Sequence, residues 1–188
     1  MRVAIHQPNF MPWLPFFEKM AAVDRFVILS RCQFEKGKYQ NRFRFNEAWY
    51  TMSVNHGMDP IIEKVYTRPQ EDWQKIKTRL PQFEKVFGQF DECIGHRLWL
   101  TNFRIILKMA KMLGITTEII LDPITSLKGT DRLVEICRAL EADTYLAGQS
   151  GAHYMEPEKF AAAGIKVENQ DLSKADKRHS LEKLHELI

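Results

Sequence analysis

The chain opens with residues suited to proton transfer and orientation. His6-Gln7-Pro8-Asn9 follows directly on the apolar run Arg2-Val-Ala-Ile5, and Pro12 precedes a helical pattern. An imidazole titrates near neutrality and can take a proton from an amine, while neighbouring amides hold a polar substrate through hydrogen bonds. At the carboxyl end of a strand in an open α/β sheet, such groups stand where ligands usually bind. His6 is therefore the candidate base, with Gln7 and Asn9 as its catalytic partners. A histidine that ends a buried strand can also serve only the core, but the polar sequel favours function.

A second cluster is cationic. Lys36, Lys38, Gln40, Arg42 and Arg44 occur at every second position, so an extended backbone places them on one face. Tyr39, Asn41, Phe43 and Phe45 then form the opposite, packing face. Like charges on one strand face repel, and such a row is useful where pyrophosphate or a nucleic-acid backbone lies across it, since Arg pairs bidentately with phosphate oxygens. The alternative is a solvated hairpin face that discourages edge association. Gln33, Lys36, Gln40, Asn41, Arg42 and Arg44 enter the candidate binding set.

Two loops add to it. In Tyr145-Leu-Ala-Gly148-Gln149-Ser150-Gly151 a strand ends in two glycines bracketing an amide and a hydroxyl. Gly148 permits close approach of a ligand to the backbone, Gln149 and Ser150 can orient it, and Tyr154 follows within reach. In Ser126-Leu-Lys128-Gly129-Thr130-Asp131-Arg132, Thr130 reads as a helix cap, and free amides with Lys128 and Arg132 read as an anion site. Asp131 there can equally complement the helix dipole. If the strands run parallel, His6, Gln7, Gln33 and Gln149 all emerge at one edge.

The elements needed to position these groups follow from periodicity. Strands are expected at Arg2–Ile5, Arg25–Ser30, Thr116–Leu121, Thr144–Ala147 and Ile165–Glu168. Helices are expected at Trp13–Val23, Glu71–Phe87 with a break at Pro81, Leu98–Leu113 ended by Gly114, Thr130–Ala142 and Pro157–Ala163. Lys38–Phe45 and Ala48–Val54 flank Asn46-Glu47 as a β-hairpin. Alternating strands and helices imply an α/β fold: a mainly parallel, Rossmann-like sheet covered by helices, with an inserted basic β-hairpin. One α/β domain spans 1–188, with the insertion at about 34–66 and a last helix at about 172–187.

Composition excludes several classes. Hydrophobic residues make up 45% and charged residues 27% of 188, which suits a globular chain rather than a disordered one. No run is apolar and long enough for a membrane helix, no secretory leader is expected, and a cytoplasmic location follows. The net charge of +3 is mild, so an anionic partner must be argued from local clusters. Cys32, Cys93 and Cys137 read as reduced thiols, Cys32 being a weaker candidate nucleophile. His56, His96, His153, His179 and His185 lack metal-ligand spacing, so no metal site is expected. Trp73, Trp99, Met109 and Met112 read as core.

Taken in order, His6-Gln7-Pro8-Asn9-Phe10 with Pro12-Trp13-Leu14, Gln33-Phe34-Glu35-Lys36, Gln40-Asn41-Arg42, Thr130-Asp131-Arg132-Leu133 and Tyr145-Leu-Ala-Gly148 resemble the WbqC-like family over about residues 2–168. The resemblance implies bacterial surface-polysaccharide gene clusters and transfer of glycine or another amino acid. It also implies a phage branch of amino acid:DNA transferases acting on pyrophosphate-activated hydroxymethyl pyrimidines. The chain departs from longer members after Val167, and its compact length with the basic hairpin favours the DNA-directed branch. A looser likeness to nucleotidylyltransferases lacks their second histidine–glycine–histidine element, which Trp13-Leu14-Pro15-Phe16 replaces.

These readings give one expected reaction, in which an amino-acid amine displaces pyrophosphate from an activated methylene in DNA. The partners are an amino acid, preferably glycine, and DNA or a sugar nucleotide, with no membrane. No cofactor is required, and Mg2+ would be compatible with the leaving pyrophosphate. Rival readings are transfer to an activated sugar, nucleotidyl transfer, and a non-catalytic nucleic-acid-binding module.

Overall fold

The computed structural model describes residues 1–149, 151 and 155–188. Along the chain run strand β1 (Arg2–His6), helix α1 (Leu14–Ala21), strand β2 (Arg25–Ile28), strands β3 (Arg42–Phe45) and β4 (Ala48–Thr51), and helices α2 (Pro69–Arg79), α3 (Glu84–Gly88) and α4 (Leu98–Met112). Strand β5 (Glu118–Leu121), helix α5 (Gly129–Ala139), strand β6 (Thr144–Ala147), helix α6 (Pro157–Ala162), strand β7 (Lys166–Asn169) and helix α7 (Ser180–Leu187) complete the order. Two compact units result. The first comprises Met1–His6, Pro15–Leu29 and Thr116–Asp176; the second comprises Gln7–Leu14, Ser30–Ile115 and Lys177–Ile188.

The first unit is a five-stranded parallel sheet in the order β5-β2-β1-β6-β7. Helices flank it, as the alternating pattern predicts. Val3, Ile5, Val27, Tyr145 and Ala147 lie in one cluster with Leu133, Val134, Ile136 and Cys137 of α5 and Phe160 of α6. Because side chains alternate across a strand, Ala4, His6, Phe26 and Ile28 take the other face. There α1 supplies Phe16, whose ring meets Phe26 at 5.2 Å.

In the second unit, β3 and β4 pair antiparallel, Arg42 to Thr51 through Phe45 to Ala48. Asn46 and Glu47 both adopt positive φ, 45° and 63°, the combination a tight two-residue hairpin turn needs. The expected ribbon is shortened, however. Residues 36–41 form turns rather than strand, because Gly37 turns the chain at φ 83° and Gln40 is drawn fully inside. The alternation of Lys36, Lys38, Gln40, Arg42 and Arg44 therefore holds only for Arg42 and Arg44.

Helix α2 stops at Arg79 and a single 3-10 turn, Pro81–Phe83, precedes α3, as the missing Pro81 amide hydrogen requires. Helix α7 begins eight residues later than the expected start near 172, at Ser180. Before it, the Asp171 carboxylate accepts from the Ser173 amide at 2.8 Å, which holds a turn there. His179 then fixes the start: its Nδ1 accepts from the Leu181 amide at 3.2 Å, and Glu182 accepts from the His179 amide at 3.0 Å. This reciprocal cap sits under the hairpin, the His179 ring lying 5.0 Å from Phe43 and 6.0 Å from Phe45.

Burial lowers the His179 pKa from 6.5 to about 4, with a weaker opposing pull from the Met11 backbone. The unfolded chain therefore binds this proton at a higher pH than the folded one, and stability present above pH 6.5 is lost as pH falls towards 4. Protonation also converts the capping acceptor into a donor. Denaturant unfolding of His179→Asn, which retains a capping oxygen, should show an acid-side loss smaller than that of the wild type by about 2–3 kcal/mol. Parallel pH curves for the two proteins would refute the assignment.

Candidate functional site

Parallel pairing fixes one edge of the first unit. His6 ends β1 in register with Ile28, and its carbonyl accepts from the Leu29 amide at 2.8 Å. Asp122 follows β5, its amide donating to Ile28 at 3.0 Å, and Gly148 and Gln149 follow β6. His6, Asp122 and Gly148 thus share the carboxyl edge of the sheet, where an α/β fold leaves room for ligands. The His6 ring is half-buried and meets Phe16 edge-on at 4.9 Å. Gln149 is exposed; Ser150 and Tyr154 lie outside the described residues.

Lys19 joins this edge, a residue the sequence reading did not single out. It lies on α1 with only 3% of its surface exposed. Side chains on a helix lean towards its N-terminus, which brings Nζ back to the end of β1, where it donates to the Ile5 carbonyl at 3.1 Å. A Cβ placed on Gly148 would stand 3.7 Å from that nitrogen. Removal from water penalises the ammonium and pushes the Lys19 pKa from 10.5 down to about 7. The signal was present in the sequence: Phe16, Lys19, Met20 and Val23 follow the i, i+3, i+4, i+7 spacing of a buried stripe.

The start of α5 is differently arranged from the expected anion clamp. The helix begins at Gly129 after Lys128, with no side-chain cap. Thr130 does not cap it; its hydroxyl accepts from the Glu156 amide at 3.1 Å. Asp131 pairs with Lys159 at 2.9 Å. Arg132 is buried and pairs with Asp122 at 2.6 Å, a geometry that holds α5 to the end of β5. Lys128 remains exposed.

In the second unit the loop after β1 is tightly held. The buried Asn102 amide donates to the Pro8 carbonyl at 2.7 Å and to the Gln40 carbonyl at 2.6 Å, while its oxygen accepts from the Tyr66 hydroxyl at 2.8 Å. Desolvation raises the Tyr66 pKa well above 10, so it remains a donor. The Phe10 amide donates to Tyr39 at 2.9 Å, and the Ser180 hydroxyl donates to Pro12. These anchors hold Met11, fully buried at φ 46°, a backbone region that favours glycine. Asn9 is half-buried in the same loop.

The loop carries an amide pair. Gln40 Nε2 donates to Gln7 Oε1 at 2.5 Å, and Gln7 Nε2 lies 3.3 Å from both Cys32 Sγ and Glu35 Oε1. Gln40 Oε1 is buried and meets no donor among the described residues. Such an acceptor is costly unless a ligand or water supplies a hydrogen. Gln33 is occupied elsewhere, donating to the Met58 carbonyl. Asn41 donates to Met52 at 2.7 Å, which stitches the start of the hairpin.

The cations divide by role. The Arg42 guanidinium donates to the Gly37 and Lys38 carbonyls and lies 3.8 Å over the Trp49 ring, so it closes the preceding turn. Lys36, Lys38 and Arg44 are exposed, and no hydrogen bond or ion pair of their side chains is made among the described residues. The structure therefore brings Gln7 together with Gln40 in the second unit, and His6 together with Lys19 and Gly148 on the edge of the first. Among the described residues no group of three His, Cys, Asp or Glu side chains is placed to hold a metal ion, and no helix is long and apolar enough to cross a membrane.

A sequence profile of the WbqC-like protein family matches residues 7–180. The uncharacterized protein Rv1507c of Mycobacterium tuberculosis (strain ATCC 25618 / H37Rv) is 26% identical over 190 residues, covering 88% of this chain and 80% of its own length. No solved structure matches the chain significantly.

Lys19 generates a stability prediction. Its proton is held up to pH 10.5 in the unfolded chain but only to about 7 in the folded one. Between those values the unfolded state binds more protons, so this group makes stability rise with pH. Lys19→Met should flatten that rise and should stabilise the protein at pH 7 by about 1 kcal/mol or more, because an apolar chain replaces a buried ammonium. Urea titrations at pH 7, 8 and 9 test it; an unchanged slope would count against the buried amine.

Proposed function

The chain belongs to the WbqC-like protein family, and from that premise we propose a transferase that moves an amino acid, glycine in our reading, onto a pyrophosphate-activated hydroxymethyl pyrimidine in DNA. Family membership suggests a transferase; the acceptor is argued from charge. The observation that carries it is the set Lys36, Lys38 and Arg44, three exposed cations within nine residues of sequence and none paired among the described residues. Other basic groups are used within the fold, as Lys64 is by Asp59 and Arg132 by Asp122. Cations unpaired among the described residues, in the turn before the hairpin and on its first strand, suit a polyanion, whose condensed counterions they release.

The reaction requires a neutral amine. In the proposal His6 takes a proton from the donor's ammonium, and the freed nitrogen lone pair forms a bond to the activated methylene carbon. The carbon–oxygen bond to pyrophosphate breaks, and its electron pair leaves with the phosphate oxygen. Lys128, in the same unit as His6, is the cation assigned to the departing charge, which grows as that bond breaks, and Lys36 and Arg44 are assigned to the DNA backbone. Gln149 orients the reacting groups at the edge that carries His6, and in the second unit Gln40 Oε1, buried without a donor among the described residues, is an acceptor left to offer a ligand. The target pyrimidine leaves the base stack, since a methylene within the duplex is shielded. Mg2+ is compatible with this chemistry but no step is assigned to it.

Nucleoside mass spectrometry of pyrophosphate-activated DNA, incubated with the protein and mixed amino acids, should show a mass gain of one amino acid with release of pyrophosphate. A gain on an activated sugar instead of DNA would move the protein to the polysaccharide reading. His6→Asn should lower turnover by about 100-fold with DNA affinity kept. Arg44→Ala should weaken DNA binding and lower the slope of log affinity against log salt by about 1. Binding that is independent of salt would remove the DNA acceptor.

A further inference from the structure

The carboxyl edge of the first unit holds a cation, Lys19, with no anion paired to it among the described residues. The Lys19 amine has three hydrogens when charged, and among the described residues it spends one, on the Ile5 carbonyl at 3.1 Å. No carboxylate pairs with it there. Its sequence neighbour Glu18 is exposed and accepts from the Asp176 amide at 3.1 Å instead. A buried ammonium in this condition is costly to fold around unless something else justifies its position. Its place does so: the nitrogen lies at the end of β1, on the strand face that carries His6, with Gly148 of the loop after β6 beside it.

We propose that Lys19 is the anchor for the carboxylate of the amino-acid donor, an inference that rests on the transferase reading and names the group that holds its small substrate. The choice of a carboxylate follows from charge. One buried cation balances one negative charge; a phosphate, with nearly two, would call for further cations. Arg132, which reaches this edge from α5, is already committed to Asp122. Gly148 contributes by what it lacks. A methyl group there would sit 3.7 Å from Nζ, in ordinary contact, and would cover the nitrogen without disturbing the backbone. Glycine leaves that approach uncovered. An anion at Lys19 would also restore the ammonium form that burial disfavours, so ligand and proton would bind together.

Calorimetric titration and thermal shift of the full chain, without DNA, test this directly. Glycine and acetate should both bind and raise Tm, methylammonium should not, and inorganic phosphate should bind at least tenfold more weakly than acetate. Lys19→Met should fold with a Tm no lower than that of the wild type and lose glycine and acetate affinity by tenfold or more. Gly148→Ala should also fold and weaken both ligands severalfold. If Lys19 serves only to hold the Ile5 carbonyl, the methionine variant will be less stable and the glycine isotherm unchanged; that result overturns the inference. Absence of glycine and acetate binding to the wild type also overturns it. Acetate binding lost in Lys19→Met, with no mass gain on DNA or sugar, would retain the carboxylate anchor and reject the transfer reaction.

Discussion

Parallel pairing of β1 with β2 and β6 is the constraint from which the first unit's chemistry follows. Parallel strands point their last residues the same way, so the segments that follow them emerge at one edge of the sheet. His6, Asp122 and Gly148 are such terminal positions, on three different strands or just beyond them. The edge gathers residues separated by more than a hundred positions in sequence, so a polar cluster forms there with no local motif. It also sets the direction of α1, whose start lies near the same edge and whose Lys19 side chain leans back towards it. A slip of one residue in β1 would turn His6 to the α5 face and dissolve the cluster.

Buried polar groups do the corresponding work in the second unit. A carboxamide inside a protein must have its donors and acceptor satisfied, and Asn102 satisfies both kinds at once. Pro8, Gln40 and Tyr66 are its partners, and they come from the loop after β1, the turn before β3 and the segment before α2. One side chain thereby fixes the loop that bears Gln7 and the turn that bears Gln40, which explains how the two amides meet. It also offsets the strained backbone at Met11, which local propensity would not choose.

The charges make a consistent pattern. Arg132, Lys64 and Arg42 are used internally, in an ion pair with Asp122, an ion pair with Asp59 and a stack on Trp49. The cations left in solvent, Lys36, Lys38 and Arg44, contribute little to stability, since exposed charges interact through water. Their cost is small as well, which is why a fold can carry them for a partner. Lys19 is the opposite case, costly and internal, and only a ligand or a proton can settle its charge.

The sequence determined the element order, the parallel sheet and the hairpin turn, because these depend on periodicity and on backbone chemistry of nearby residues. Pro81 broke its helix and Asn46-Glu47 made its turn where local rules place them. It also held clues that were passed over. Lys19 and Asn102 both occupy apolar-stripe positions of amphipathic helices, where a polar residue is buried by its neighbours whatever its type. What only tertiary structure decided was which polar groups are spent. Strand alternation proposed five residues on one ribbon face, but the Asn102 amide and the Gly37 turn drew Gln40 inside and folded Arg42 back on the turn. Thr130, Asp131 and Arg132 likewise found partners on α6 and β5 or just beside them. Hydrogen bonds and ion pairs between distant segments compete with local pattern, and the competition is settled by burial, which no short window of sequence contains.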